Sequence, residues 1–255
     1  MIKLEKVNKW YGAHHVLKDV DLSVARGEVL VVCGPSGSGK STMIRTINRL
    51  EPIEKGRILI DDADIYGKGV NLNALRQKIG FVFQQFNLFP HMSVLDNVVF
   101  APVNIRKQPR KQATELARQL LARVGLRPEH AQRFPHQFSG GQRQRIAIAR
   151  ALALEPRFII ADEAVSALDV SVKAQVLDLL ADLQAEQGLT YLFISHDLGV
   201  VRHFADRVAI MAAGELVEEG ECDRIFEAPA QDYTRRLIAA VPRPDPSRRR
   251  LRQAA

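Results

Sequence analysis

The chain has 255 residues, of which 46% are hydrophobic and 25% are charged, and its formal net charge is +7. This length and composition fit one substantial α/β domain with a modest insertion. No apolar run approaches the ~20 residues that span a bilayer, and the N-terminal residues predict a strand rather than a signal peptide. We therefore expect a cytosolic protein whose membrane contacts are made through partners.

The positive charge is concentrated near the C-terminus, where residues 243–252 contain five arginines among prolines. This composition predicts a flexible basic tail at 241–255 that follows a single domain at 1–240. Elsewhere basic residues alternate with acids, which argues against nucleic-acid binding and leaves open a weak attraction to an anionic leaflet. Two cysteines, Cys33 and Cys222, do not make a disulfide or metal framework.

Hydrophobic patterning predicts the strands in chain order. Residues 2–7 and 16–24 alternate apolar and polar side chains, which is typical of half-exposed antiparallel strands. Five short apolar runs suit a mainly parallel sheet covered on both faces; they are 29–33, 79–83, 158–161, 191–194 and 208–211. Between the second and third of these runs, residues 93–153 predict a helical insert, with leucines at helical spacing in 111–124.

A glycine-rich string follows the first apolar run and precedes a predicted helix at 42–50. It matches the phosphate-loop pattern G-x-x-x-x-G-K-[ST]; its residues are Gly34, Pro35, Ser36, Gly37, Ser38, Gly39, Lys40 and Ser41, with Thr42 directly after. Glycines let backbone N–H groups close around phosphate oxygens at the positive end of the helix. Lys40 is predicted to bind the outer phosphates and Ser41 to hold Mg²⁺. The alternative, a plain glycine turn, accounts poorly for the full pattern.

Two acids, Asp162 and Glu163, end the run at 158–161. Ligands of open α/β sheets bind at the carboxyl ends of the strands, so Asp162 is predicted to hold Mg²⁺, directly or through water, and Glu163 to polarise the attacking water. His196 ends the next apolar strand and could contact the γ-phosphate. Without the phosphate loop, a solvated strand end would explain the two acids better.

A second anion-binding helix start is predicted at Ser139, Gly140, Gly141 and Gln142, which open a helix at 142–154. The same residues also serve as a simple N-cap with a glycine hinge, and the two interpretations are compatible.

In this order, the strings resemble the ATP-binding subunits of ABC transporters along nearly the whole chain. The resemblance implies a P-loop NTPase fold of the ABC type, with an antiparallel N-terminal β subdomain and a helical subdomain at 93–153. It also implies that Tyr11 stacks on adenine, that Gln84 senses both Mg²⁺ and the membrane subunit, and that Ser139–Gln142 is the signature segment. Asp162 and Glu163 resemble Walker B with the catalytic acid, Asp169 belongs to the D-loop, and His196 is the switch histidine.

The same resemblance implies cofactors and partners. ATP and Mg²⁺ would bind, and two ATPase subunits, identical or different, would pair head to tail. Each ATP would then lie between the phosphate loop of one subunit and the signature segment of the other. Integral permease subunits would be direct partners at the cytoplasmic face of the membrane, and an extracytoplasmic solute-binding protein an indirect one.

The subfamily resemblance is mixed. Up to about residue 120 the chain is similar to polar amino-acid importers, above all at 83–91 (FQQFNLFPH). From residue 124 it is similar to dipeptide and oligopeptide importers, as in 134–138 (FPHQF) and 162–171 (DEAVSALDVS). We expect uptake of a polar amino acid, with peptide uptake as the alternative. A soluble ABC protein acting on nucleic acid or ribosomes, and a hybrid that binds nucleotide without coupling to a permease, are the other candidates.

Overall fold

The computed structural model describes residues 1–240, apart from the side chain of Val200, so the predicted tail at 241–255 lies outside the described residues. The strands are β1 (Ile2–Tyr11), β2 (His14–Val24), β3 (Val29–Cys33), β4 (Lys55–Ile60), β5 (Ala63–Asp64), β6 (Ile79–Val82), β7 (Phe158–Asp162), β8 (Thr190–Ile194), β9 (Arg207–Ala212) and β10 (Glu215–Glu221). The helices are α1 (Lys40–Ile47), α2 (Leu72–Gln77), α3 (Val94–Asn104), α4 (Arg110–Arg123), α5 (Gly140–Leu152), α6 (Val170–Gln187), α7 (Leu198–Phe204), α8 (Cys222–Glu227) and α9 (Asp232–Ala239).

The strands form two sheets. An antiparallel sheet has the order β2-β1-β4-β5, and a second sheet has the order β10-β9-β3-β8-β7-β6. Within the second sheet all neighbours are parallel except β9 and β10. This arrangement confirms the predicted α/β class with a mainly parallel core and antiparallel N-terminal strands.

The parallel sheet separates two hydrophobic cores, because successive strand residues point to opposite faces. In β3, Val29 and Val31 pack with the helical side, whereas Leu30 and Val32 pack with the antiparallel sheet and α1. Residues of β7 and β8 divide in the same way. The sheet is therefore covered on both faces, and its strands are continuous apolar runs, as parallel strands require.

Several element boundaries differ from the sequence predictions. β1 continues to Tyr11 and pairs there with His14, four residues beyond the predicted end at residue 7. α1 begins at Lys40 rather than residue 42, and α5 spans Gly140–Leu152 rather than 142–154. β4, β5 and α2 have no counterpart in the prediction, since β4 opens with the exposed Lys55, Gly56 and Arg57 and shows no apolar alternation there.

Three helices, α3 to α5, lie between β6 and β7 in the chain, within the interval 93–153 that the sequence assigns to a helical insert. Their apolar faces join the same core as the helical side of the parallel sheet. Within residues 1–240, no helix is long and apolar enough to cross a bilayer.

Candidate nucleotide site

The phosphate loop runs from the end of β3 to the start of α1, and its glycines are fixed by close neighbours. Gly34 has φ +151°, and a Cβ there would lie 2.0 Å from the carbonyl oxygen of Met211. Gly39 has φ +101°, and a Cβ would lie 2.9 Å from the carbonyl oxygen of Val16. No side chain fits at either position, so β2 and β9 hold the loop in one shape.

Lys40 is buried beneath its own loop. Its ammonium donates to the carbonyl oxygens of Gly34 at 2.8 Å and Pro35 at 2.7 Å, and to the Ser38 hydroxyl at 3.3 Å. Burial lowers the pKa of Lys40, against the opposing effect of the Glu163 carboxylate. The cation is thus already placed beside the loop whose N–H groups would bind phosphate.

Asp162 comes from the end of β7 and meets the start of α1. The Ser41 hydroxyl donates to Asp162 Oδ1 at 3.0 Å. Asp162 is buried, and this burial raises the pKa of its carboxyl although the Ser41 hydrogen bond acts in the opposite direction. The structure therefore brings together two of the three side chains that the sequence assigns to Mg²⁺, the third being Gln84.

Glu163 adopts an uncommon backbone conformation directly after β7. Its φ is +47°, in the left-handed region that non-glycine residues rarely occupy. Its N–H donates to the carbonyl oxygen of Ile194 at 3.2 Å, and its carbonyl oxygen accepts from the Ser166 hydroxyl at 2.8 Å. Strained residues of this kind cluster at active sites.

His196 lies beside that carboxylate. Its Nδ1 is 3.4 Å from Glu163 Oε2, and 58% of the His196 side chain is exposed. Two neighbouring parallel strands, β7 and β8, thus present an acid and an imidazole at the same sheet edge, as predicted. An acid next to an imidazole at an exposed edge can orient a water molecule and exchange a proton with it.

An open cavity of about 410 Å³ lies between the phosphate loop, the start of β2 and Glu163. It is lined by His14, Val16, Ser36, Gly37, Gly39, Lys40, Ser41, Thr42 and Glu163. Tyr11 pairs with His14 at the end of the β1–β2 ladder, and the Lys9 ammonium lies 5.0 Å from the Tyr11 ring centroid. Tyr11 is 44% exposed and is paired with the cavity residue His14, which suits a base-stacking position.

The signature segment caps α5. Ser139 Oγ accepts from the N–H of Gln142 at 3.3 Å, and Gln142 Oε1 accepts from the N–H of Ser139 at 3.2 Å. Gly141 packs against α6, since a Cβ there would lie 2.3 Å from Val172. The predicted N-cap is present as a capping box, and Ser139 is exposed at the helix start; the anion-binding role of this segment stays a prediction.

Besides Tyr11, Asp162, His196 and the loop residues Gly34, Pro35 and Ser38, three further groups of predicted site residues are not among those that line the cavity. Gln84 is exposed two residues after the end of β6, Asp169 is exposed at the N-cap of α6, and Ser139 begins the signature segment. Val170, next to Asp169, is apolar and 85% exposed. Their roles toward Mg²⁺, the permease and a second subunit stay predictions.

Sequence reasoning missed two groups of supporting residues. Lys173 and Asp197 form an ion pair of 2.7 Å next to Glu163 and His196, but they lie far apart in the chain and match no motif. Asn97 and Arg150 bind the backbone of residues 86–92. A buried asparagine inside an apolar helix is a signal that could have indicated Asn97.

The donor set fits Mg²⁺ only when phosphate supplies further ligands. Residues 1–240 contain no group of three His, Cys, Asp or Glu side chains that could hold a metal ion. Mg²⁺ commonly binds one or two carboxylates together with substrate phosphates. A hydroxyl and a buried carboxylate 3.0 Å apart beside a phosphate loop match that pattern.

Comparison with protein families identifies the fold and its class. The family model for ABC transporters matches residues 17–166, and the model for the C-terminal region of oligopeptide/dipeptide transporters matches residues 217–255. The chain therefore belongs to the ABC transporter ATP-binding family. The second match accords with the mixed subfamily resemblance of the sequence.

Individual relatives lie among amino-acid transporters. An uncharacterized amino-acid ABC transporter ATP-binding protein of Escherichia coli is 48% identical over 94% of this chain and 95% of its own length. The glutamate/aspartate import ATP-binding protein of Escherichia coli is 45% identical over 94% of this chain and 99% of its own length.

A solved dimeric bacterial ABC transporter cassette superposes with a TM-score of 0.80 at 37% identity, covering 87% of this chain and 99% of that one. A dimeric ATP-binding cassette in a post-hydrolysis state, bound to ADP and Pi, gives a TM-score of 0.78 at 36% identity, with the same shares of each chain covered.

Proposed function

We propose that this chain is the ATP-hydrolysing subunit of an importer that takes up polar amino acids, and that it works at the cytoplasmic face of a membrane. The observation that carries the ATPase part is the meeting of Lys40, Asp162, Glu163 and His196 beside one phosphate loop. The solute class is supported by amino-acid importer relatives that match over 94% of the chain.

The side chains divide the chemistry between them. When ATP binds, the Lys40 ammonium would replace its hydrogen bonds to the loop carbonyl oxygens with charge-assisted hydrogen bonds of similar length to the outer phosphates. Glu163 accepts a hydrogen bond from a water molecule and orients that water toward the γ-phosphorus. The His196 imidazole lies beside the Glu163 carboxylate. The water oxygen bonds to the γ-phosphorus as the bond between that phosphorus and the ADP oxygen breaks, the water proton passes to the Glu163 carboxylate and then to solvent, and the products are ADP and phosphate.

Ser41 and Asp162 would hold Mg²⁺, with Gln84 as the third predicted ligand. The bound ion would neutralise charge on the phosphate oxygens. Burial raises the pKa of the Asp162 carboxyl, and a cation bound nearby would act in the opposite direction and favour the carboxylate.

Residues 84–91, which we call the coupling loop, support the choice of permease. Phe89 is 37% exposed and Phe100 is 36% exposed, and their rings lie 5.3 Å apart. An exposed aromatic pair beside a nucleotide-sensing loop suits an apolar cytoplasmic helix of a permease. This loop lies in the part of the chain that resembles amino-acid importers, and loop shape should select the partner.

Reconstitution tests the proposal. The protein is combined in liposomes with a polar amino-acid permease or with a peptide permease, each with its solute-binding protein, and ATP hydrolysis is measured. We expect stimulation by the amino-acid permease, and none with Glu163→Gln in either mixture. This substitution removes the water-orienting carboxylate while it preserves the phosphate contacts.

Other outcomes identify the alternatives. Stimulation by the peptide permease alone would assign the chain to peptide uptake, consistent with its C-terminal family match. Stimulation by nucleic acid or ribosomes instead of a permease would favour a soluble ABC protein. Nucleotide binding without coupling to any of these would leave an inert hybrid.

A further inference from the structure

An ion pair joins the first turn of α6 to the residue that follows His196. The Lys173 ammonium donates to Asp197 Oδ2 at 2.7 Å, and 18% of the Lys173 side chain is exposed. The two residues line one small cavity together with Glu163, Ser166 and His196. A partly buried cation beside the proposed catalytic pair has no part in the chemistry described above.

Asp197 fixes the turn that carries His196. Its Oδ1 accepts from the N–H of Gly199 at 3.1 Å, and its own N–H donates to the Ser195 hydroxyl at 3.0 Å. One carboxylate oxygen therefore caps α7 while the other binds Lys173. Because most of the His196 side chain is exposed, the backbone of this turn sets the direction of the imidazole.

The lysine of this ion pair lies on α6, the helix that begins directly after the D-loop residue Asp169. The N–H of Lys173 donates to the carbonyl oxygen of Asp169 at 2.8 Å, so the lysine stands on the first turn of α6. The preceding segment is tied to the catalytic acid, because the Ser166 hydroxyl donates to the carbonyl oxygen of Glu163 at 2.8 Å. Both sides of the Glu163–His196 pair thus connect to the start of α6.

We propose that Lys173 is a positioning residue for hydrolysis: acting through Asp197, it holds the turn at 195–197 so that His196 faces Glu163. The proposal rests on the proposed ATPase function. Lys173 does not line the nucleotide cavity, so its loss should alter the rate of the chemical step and leave nucleotide binding unchanged. Small misplacements of a reacting group are known to cost large factors in rate.

The test compares Lys173→Met with Lys173→Arg in the full chain, by steady-state ATP hydrolysis with Mg²⁺. We expect Lys173→Met to lower kcat about tenfold with KM unchanged, and Lys173→Arg to recover most of the loss, because a guanidinium can also bind the carboxylate. The chain offers a matched control: Asp178 and His203 form a second pair, at 3.4 Å, between the same helices α6 and α7. Asp178→Asn should leave kcat at the wild-type value.

Three results would overturn the inference: wild-type kcat in Lys173→Met, an equal loss in Asp178→Asn, or a loss that appears in KM alone. Thermal unfolding of each variant separates a folding defect from a positioning defect. A loss of kcat in Lys173→Met that is accompanied by a loss of stability, and that Lys173→Arg does not restore, also counts against the inference. If the wild-type protein binds but does not hydrolyse ATP, the proposed function fails before Lys173 is tested.

Discussion

Tyr11 illustrates how a single exposed ring can serve binding without taking part in chemistry. It ends β1 next to His14 of the cavity, and we expect Tyr11→Ala to weaken ATP and ADP binding equally, by about tenfold or more, since base stacking contributes about 1–3 kcal/mol. Calorimetric titration with both nucleotides measures this effect, and Tyr11→Phe is the control that keeps the ring. A loss confined to ATP would show that Tyr11 does not stack on the base.

At the residue scale, local strings could be predicted and distant pairings could not. The phosphate-loop residues, Asp162 and Glu163 were identifiable because their spacing reflects a strand–loop–helix unit within one short segment. The left-handed φ of Glu163 depends on Ile194 of the next strand, and the Lys173–Asp197 pair joins two helices. Such contacts follow from tertiary packing, which one sequence does not encode in a local pattern.

At the element scale, the coupling loop is held from two helices. The α3 residue Asn97 is fully buried; its amide accepts from the N–H of Phe89 at 2.8 Å and donates to the carbonyl oxygens of Phe89 and Met92. From α5, the Arg150 guanidinium donates to the carbonyl oxygens of Phe86 and Asn87 at 3.1 and 2.6 Å. Hydrogen bonds therefore connect α5, which the signature segment begins, directly to the coupling loop.

We expect Asn97→Leu to lower the free energy of unfolding by about 2–3 kcal/mol, because buried backbone groups would lose their partners. The rate of amide hydrogen exchange at residues 86–92 should increase in the same variant. The control is Asn104→Leu on the same helix, where the exposed amide bonds only to the carbonyl oxygen of Phe100 among the described contacts. Unchanged exchange at 86–92 in Asn97→Leu would mean that other contacts fix the loop. Urea denaturation gives the stability of both variants.

A buried carboxylate connects β10 of the mainly parallel sheet to α9. Glu218 on β10 accepts from the N–H groups of Ala230 at 2.7 Å and Gln231 at 3.1 Å, at the start of α9. Burial alone would raise the pKa of Glu218, but hydrogen bonds to the carboxylate, including these two, outweigh it and hold the pKa below its ordinary value. The charged form therefore stabilises the folded state.

Glu218→Gln should cost about 1 kcal/mol of unfolding free energy at pH 7, since charge-assisted hydrogen bonds become neutral ones. Because the pKa of Glu218 is lower in the folded state than in the unfolded state, its stabilising contribution is complete above the unfolded pKa and disappears as the pH falls through the folded pKa. The difference in unfolding free energy between wild type and variant should therefore shrink below pH 4.5. Urea denaturation at several pH values measures it, with Glu215→Gln on the same strand as control. A difference that is independent of pH would contradict this account.

Buried strands were easier to predict from the sequence than partly exposed ones. Val29–Cys33 was located to the residue because a buried parallel strand is one apolar run bounded by glycine or charge. β4 was missed because its first half is exposed and polar, and pairing with β1, rather than its own pattern, makes it a strand. Tertiary pairing overrides local propensity there.

On the scale of the whole molecule, two helix starts within residues 1–240, those of α1 and α5, are predicted to bind phosphate. Only the first lines the cavity with Glu163, whereas Ser139 at the second is exposed, and so is the apolar Val170 at the start of α6. A second copy of the chain that covered the predicted anion site and Val170 would account for the exposure of both. The solved relatives at TM-scores of 0.80 and 0.78 are dimeric.

This arrangement predicts that dimer formation needs the signature segment whereas nucleotide binding by one subunit does not. Glu163→Gln with Mg²⁺ and ATP should elute as a dimer, at twice the 28.5 kDa chain mass, because ATP is bound and hydrolysed too slowly to release the partner. Adding Ser139→Arg should leave ATP binding intact and keep the protein monomeric, since the larger side chain blocks the α5 helix start that would meet the partner's phosphate. Light scattering after gel filtration gives the mass, and a fluorescent ATP analogue gives the affinity. A double variant that still dimerises, or a monomer that no longer binds ATP, would show that the signature segment serves the nucleotide of its own subunit.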